Sequence, residues 1–138
     1  MTYYLSLGAN LGNREQTIRE AIQCIEQQIG LVPRCSSFYY SEPWGFESEH
    51  MFCNVCCRLE TEKAPMDVLH LTQDIERQLG RRKKSDEGGY SDRSIDIDLI
   101  QAFDGEKEIC IETNELRLPH PLWQQREFVK IPLSEIKE

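Results

Sequence analysis

Apolar positions in this chain alternate between two spacings. Thr2 to Leu7 reads as a strand, closed by Gly8-Ala9-Asn10-Leu11-Gly12. Ile18, Ala21, Ile22, Ile25 and Ile29 then recur at helical spacing, with Asn13 as N-cap, Gln16 three residues on and Gly30 at the stop. A second strand is predicted over Val32 to Ser41, broken by Glu42-Pro43-Trp44-Gly45, and a third over Phe52 to Glu60. Pro65 suits the first turn of a second helix, whose apolar side is Val68, Leu71, Ile75 and Leu79 and whose stop is Gly80. A polar loop from Arg81 to Asp92 leads into a fourth strand, Ile95 to Phe103. A small hairpin around Asn114, a turn at Leu118-Pro119-His120-Pro121 and an apolar end from Phe128 to Leu133 complete the chain.

The order β-α-β-β-α-β predicts an α+β fold of ferredoxin-like plan: an antiparallel sheet with both helices on one face, plus a C-terminal hairpin and extension. At 138 residues, with 39% hydrophobic and 29% charged positions, residues 1–138 are expected to form one domain able to bury its own core. The net charge of −8 argues against nucleic acid or an anionic membrane as partner, since both attract positive surfaces. Met1-Thr2-Tyr3-Tyr4-Leu5 lacks the basic and long apolar stretches of a secretory signal, so a cytoplasmic location is expected, with a monomer as the working assembly. The six cysteines are then expected to be reduced. Cys53 and Cys56 fall on a strand and point to opposite sides, which suits core packing better than metal or redox chemistry.

The sharpest chemical signal is Ile95-Asp96-Ile97-Asp98-Leu99-Ile100. On a strand, Asp96 and Asp98 share one face about 6.6 Å apart, with the apolar residues on the other. Strands disfavour Asp, and two parallel carboxylates repel, so the pair suits a cation; hard oxygen ligands favour Mg²⁺, and two ions fit between them. The alternative is a half-exposed strand with an acidic outer face. Arg81, Arg82, Lys83, Lys84 and Arg93 gather positive charge just upstream, as a polyphosphate bound through a metal requires. The Gly8 to Gly12 segment lacks the full pattern of a phosphate loop and reads better as a tight strand-to-helix turn. The residues alone leave open a different phosphoryl or nucleotidyl transferase, or a ligand-binding module without catalysis.

Several ordered stretches narrow this. Leu5-Ser6-Leu7-Gly8-Ala9-Asn10-Leu11-Gly12, Phe52-Cys53-Asn54-Val55, Gln73-Asp74-Ile75-Glu76-Arg77, Arg93-Ser94-Ile95-Asp96-Ile97-Asp98, Leu118-Pro119-His120-Pro121 and Arg126-Glu127-Phe128-Val129 together resemble the 6-hydroxymethyl-7,8-dihydropterin pyrophosphokinases over almost the whole chain. The resemblance implies transfer of pyrophosphate from ATP to the pterin's hydroxymethyl oxygen, with AMP released. It implies Asp96 and Asp98 as ligands of two Mg²⁺ ions, Asp96 also facing the pterin. Gln73, Glu76, Arg81, Lys83, Arg93, His120 and Arg126 correspond to ATP contacts, with Arg81, Lys83 and Arg93 beside the transferred group. Phe52 and Phe128 would stack on the pterin, Asn54 would read its edge by donating and accepting, and Ser41, Glu42 and Trp44 belong to the loop along that edge. The sequence departs from the family at Asp92, where a small residue or proline is usual, at Lys83, where arginine is frequent, and at Tyr90. Members commonly run on past the Pro132 to Ile136 region, in a tail that carries none of these motifs.

Overall fold

The computed structural model describes residues 1–41, 51–83 and 95–137. Strands β1 (Thr2–Ala9), β2 (Leu31–Cys35), β3 (Tyr39–Ser41), β4 (Phe52–Glu60), β5 (Asp96–Asp104) and β6 (Lys107–Glu108) form one sheet. Its order is β2-β4-β1-β5-β6, with β3 also paired to β4 and every pairing antiparallel. With helices α1 (Arg14–Gln28) and α2 (Pro65–Lys83) between the strands, this is the predicted α+β, ferredoxin-like arrangement. A separate hairpin pairs β7 (Ile111–Glu112) with β8 (Arg117–Leu118) around Asn114.

The helical spacing read from the sequence is the packing observed. Ile18, Ala21 and Ile25 of α1 and Val68, Ile75 and Leu79 of α2 are buried against Tyr3, Leu5, Leu7, Val55, Leu59, Ile97 and Leu99. Asn13 caps α1, its side-chain oxygen accepting from the Gln16 amide at 3.2 Å. Tyr3 is fully buried but not orphaned, because its hydroxyl donates to the Lys63 carbonyl at 2.6 Å. Cys53 lies in this core and Cys56 on the opposite side of the sheet, as alternation requires, and all six cysteines are free.

Three expectations are corrected. The predicted second strand is two strands: the Ser36 amide still donates to the Cys56 carbonyl at 2.8 Å, but side chains take the next two ladder positions. Ser36 Oγ accepts the Cys56 amide at 2.9 Å, and the Ser37 amide turns away to Glu135 at 2.9 Å. Helix α2 does not stop at Gly80 but continues to Lys83. Glycine costs a helix only about 1 kcal/mol, and the Arg-Arg-Lys that follows consists of strong helix formers. The residues after Arg126, read only as an apolar end, form helix α3 (Glu127–Ile136) despite Pro132 inside it. Val129, Leu133 and Ile136 bury themselves with Tyr4, Cys56 and Ile100 on the face of the sheet opposite α1 and α2. That second cover explains why β1 is buried along almost its whole length. Lys137 pins the end of α3, donating to Gln101 at 2.6 Å and lying over the Tyr4 and Phe103 rings.

If α3 is a necessary cover, Leu133→Ala should lower unfolding free energy by roughly 2–5 kcal/mol in urea titration, the usual range for a buried leucine. A loss below about 1 kcal/mol would mean the second face needs no cover.

Candidate functional site

The site occupies the part of the α3-side face that α3 leaves open, at the start of β4 and β5 and the end of β1. Directly opposed residues of antiparallel strands share a face. The register pairs Tyr39 with Asn54, Asn54 with Gly8, and Gly8 with Asp96, so these four form one row across four strands. In the next row Asp98 stands beside Ser6, and Ser6 beside Cys56. Phe52 lies two residues before Asn54 on the same face, opposite Ser41. Helix α3 begins at the border of this open area, since Cys56 Sγ lies 3.6 Å from the Val129 carbonyl.

Gly8 leaves a gap in that row. A methyl group there would stand 2.8 Å from Asn54 Oδ1 and 3.6 Å from a Phe52 ring carbon, so the amide and the ring lean into the space a side chain would fill. The buried Asn54 donates from Nδ2 to the Tyr39 carbonyl at 3.2 Å and to Ser41 Oγ at 2.9 Å. The carbonyl is an obligate acceptor, which fixes the direction of the amide. Both amide hydrogens are therefore engaged, and Asn54 faces the gap as an acceptor.

Asp96 and Asp98 are half-buried and flank Ile97, whose side chain is in the helix-side core. Among the described residues β5 has β1 on one side only at this end, and none of their strands pairs with the outward Ile97 amide. Glu76 of α2 accepts that N–H at 2.6 Å. Burial pushes the Glu76 carboxyl up to about 7; the Ile97 bond pulls against the rise, and the charges of Asp96 and Asp98 add to it. Three carboxyl groups thus crowd the edge of β5. Among the described residues no group of three or more His, Cys, Asp or Glu has the geometry of a closed metal site. An open pair of carboxylates is what Mg²⁺ uses when it keeps water and takes its remaining ligands from a substrate's phosphates, so these donors fit it.

The bulge in β5 carries the next group. Leu5 pairs with Leu99 and Tyr4 with Gln101, which leaves Ile100 as the extra residue. Its carbonyl accepts the His120 amide at 2.9 Å, holding the turn after the cis Leu118–Pro119 bond against the strand. His120 Nδ1 accepts from the Leu122 amide at 3.1 Å, which places the neutral ring's proton on Nε2. Burial lowers the His120 pKa, Arg126 lowers it further, and Asp96 works in the other direction. Arg126 also lies over the Phe128 ring, 5.8 Å from its centroid, and Phe128 packs at the margin of the α3 cluster.

Beside Asp98 and His120 opens a cleft of about 280 Å³, lined also by Leu69, Leu116 and the Asn114 to Arg117 hairpin. No sequence motif marks these lining residues; only the i, i+4 and i+3 steps from Leu69 to Gln73 and Glu76 hint that one side of α2 faces one site. Gln73 is exposed on that helix, and the α2 backbone runs on through Arg81 and Lys83. Those two residues and Arg82 are therefore on a helix and not in the predicted loop. Glu42, Trp44, Lys84, Tyr90, Asp92 and Arg93 lie outside the described residues.

A family model described as 7,8-dihydro-6-hydroxymethylpterin-pyrophosphokinase matches residues 4–138. The 2-amino-4-hydroxy-6-hydroxymethyldihydropteridine pyrophosphokinase of Porphyromonas gingivalis is 47% identical over 133 residues, covering 96% of this chain and 88% of that one. The Bacillus subtilis protein of the same name is 37% identical over 134 residues, covering 96% and 76%. A solved HPPK-DHPS in complex with substrates superposes with a TM-score of 0.66 at 15% identity, over 98% of this chain and 40% of that chain, a likeness of fold.

The raised Glu76 carboxyl has a consequence for stability. Between its ordinary value near 4.5 and about 7, the folded protein holds a proton that the unfolded chain has released, so this group's contribution falls as pH rises through that window. In metal-free urea titrations, the stability of wild type relative to Glu76→Gln should therefore decline from pH 4.5 to 7. A difference that is flat or rises across the window would contradict the crowding of carboxyl groups at β5.

Proposed function

Because the chain belongs to the 7,8-dihydro-6-hydroxymethylpterin-pyrophosphokinase family, and so transfers pyrophosphate from ATP to hydroxymethyldihydropterin in folate biosynthesis, we propose a division of this work among its residues. The observation that carries the proposal is the row from Asn54 through Gly8 to Asp96, with Asp98 in the row on one side of it and Phe52 in the row on the other. The pterin ring lies over the gap at Gly8, between Phe52 and Phe128, with Asn54 Oδ1 accepting from an N–H of its edge. A flat heterocycle suits such a floor, because aromatic faces supply area while a fixed acceptor supplies orientation. Ser41 holds Asn54, and Glu42 and Trp44 are assigned to the same edge.

The nucleotide lies on the other side of the aspartates. The cleft beside Leu69, Leu116 and His120 takes the adenosine part, with apolar side chains against the base and His120 Nε2 as a donor. Gln73, Glu76 and Arg126 hold the ATP from α2 and from the start of α3, and Arg81, Lys83 and Arg93 neutralise the phosphates. Asp96 and Asp98 would hold Mg²⁺, two ions when both substrates are bound, which would supply charge neutralisation on the phosphate oxygens and a lowered pKa for the hydroxymethyl group. The hydroxymethyl oxygen attacks the β-phosphorus in line and gives up its proton to water; a new oxygen–phosphorus bond forms, and the bond from the β-phosphorus to the bridging oxygen breaks, so that AMP leaves with that oxygen. Residues 1–138 contribute this whole site as one monomeric unit in the cytoplasm. In support, no helix among the described residues is long and apolar enough to cross a membrane.

The experiment is AMP release measured with pterin, Mg²⁺ and the two together. Release should require both. Asp96→Ala and Asp98→Ala should each lower turnover by roughly 10²-fold or more, as expected when charge stabilisation of a transferring phosphoryl group is lost, with an unchanged circular dichroism spectrum. A folded variant within tenfold of wild type would falsify the aspartate assignment. AMP release that ignores the pterin would point to a different acceptor.

A further inference from the structure

The face of the sheet opposite the site holds a small polar cluster that the reaction does not use. Tyr40 is the middle residue of β3, so it points away from the site while its neighbours Tyr39 and Ser41 point into it. On that reverse side the Tyr40 hydroxyl donates to Glu15 in the first turn of α1, at 2.5 Å. The adjacent Arg14 guanidinium lies over the Tyr40 ring, 5.3 Å from its centroid. Arg14 also donates to the Met51 carbonyl at 2.7 Å, immediately before β4 begins at Phe52. One helical turn therefore grips both β3 and the entry to β4.

These are the two strands whose relative position sets the Asn54 amide, since Nδ2 is held by Tyr39 and Ser41 of β3. Among the described residues β3 is three residues long, and three register pairs join it to β4. A strand so short has little intrinsic hold on its place. The groups on its reverse side come from α1 and β4: Glu15, Arg14 and Cys53, with Arg19 close to Glu15. The hydrogen bond draws the Glu15 carboxyl below its ordinary value and raises the Tyr40 hydroxyl to about 12, so both keep the protonation state the bond needs near neutral pH.

We infer that Arg14, Glu15 and Tyr40 form a positioning clamp for the pterin half of the site, locking β3 behind Asn54 so that Oδ1 is presented over Gly8. None of the three touches substrate. Their effect is specific to one substrate because the nucleotide side is built on α2, β5 and the turn at His120. The inference rests on the assignment of Asn54 to the pterin, and its test must separate the two.

The test is steady-state kinetics with each substrate varied in turn, for Tyr40→Phe, Glu15→Ala, their double variant, Glu15→Gln and Asn54→Ala. Tyr40→Phe keeps the ring beneath Arg14 and removes only the donated bond. Tyr40→Phe and Glu15→Ala should each raise KM for the pterin roughly threefold to tenfold, the effect of loosening one preorganised contact, while KM for ATP and kcat stay within about twofold. The double variant should be no worse than the worse single one, because both remove the same bond. Glu15→Gln, which can still accept, should stay within about twofold of wild type. Clamp variants that leave the pterin KM unchanged while Asn54→Ala raises it would overturn the clamp and leave the site assignment standing. An Asn54→Ala variant with unchanged pterin KM would overturn the assignment and the clamp with it. Equal rises in both KM values would reduce the cluster to general scaffolding and also overturn the inference.

Discussion

The register of β1 against its two neighbours is the constraint on which the site depends. Because side chains alternate across a sheet, sliding either partner by one residue would send Asp96 or Asn54 into the helix-side core and bring an apolar neighbour to the open face. The register is fixed by burial on the far side, where Leu5, Leu7, Val55, Cys57, Ile97 and Leu99 interlock with α1 and α2. The same alternation that makes the core apolar thus sets a carboxylate, a gap and an amide side by side on the other face. α3 then covers one part of that face and leaves the rest accessible.

Against this background, the edge of β5 is electrostatically unfavourable by itself. Glu76 satisfies an amide that no described strand pairs with, yet it does so from a half-buried position close to Asp96 and Asp98. The consequence is a carboxyl that resists ionising. A bound cation would relieve such crowding, and the acidic groups already stand together at this edge before anything binds. Preorganisation of this kind is the main catalytic resource for phosphoryl transfer, where the protein contributes position and charge.

Much of this was legible in the chain. Ile18, Ala21 and Ile25, then Val68, Ile75 and Leu79, marked two helices by period, and the alternation around Asp96 and Asp98 placed both carboxylates on the face away from the core. The parts that escaped are those where long-range contacts override local signals. Pro132 argues against a helix, yet α3 forms because Val129, Leu133 and Ile136 have a sheet face to bury against. Gly80 argues for a stop that the following helix formers override. Ser36 and Ser37 look like ordinary strand residues until Cys56 and Glu135 are brought beside them. The hairpin was visible as an element, but its place in the cleft depends on a bulge at Ile100 that no residue pattern announces.

In the proposed assignment the metal–nucleotide sits on the row of residues joining β1 and β5. Mn²⁺ is paramagnetic and broadens the amide resonances of nearby residues, so it reports position without any change to the protein. With Mn²⁺ and a non-hydrolysable ATP analogue bound, the amides of Gly8, Ile97 and Asp98 should broaden strongly, and those of Ile25 and Ile136, held in the two hydrophobic clusters, should remain sharp. Broadening centred away from β1 and β5, with Gly8 and Asp98 unaffected, would contradict the assignment.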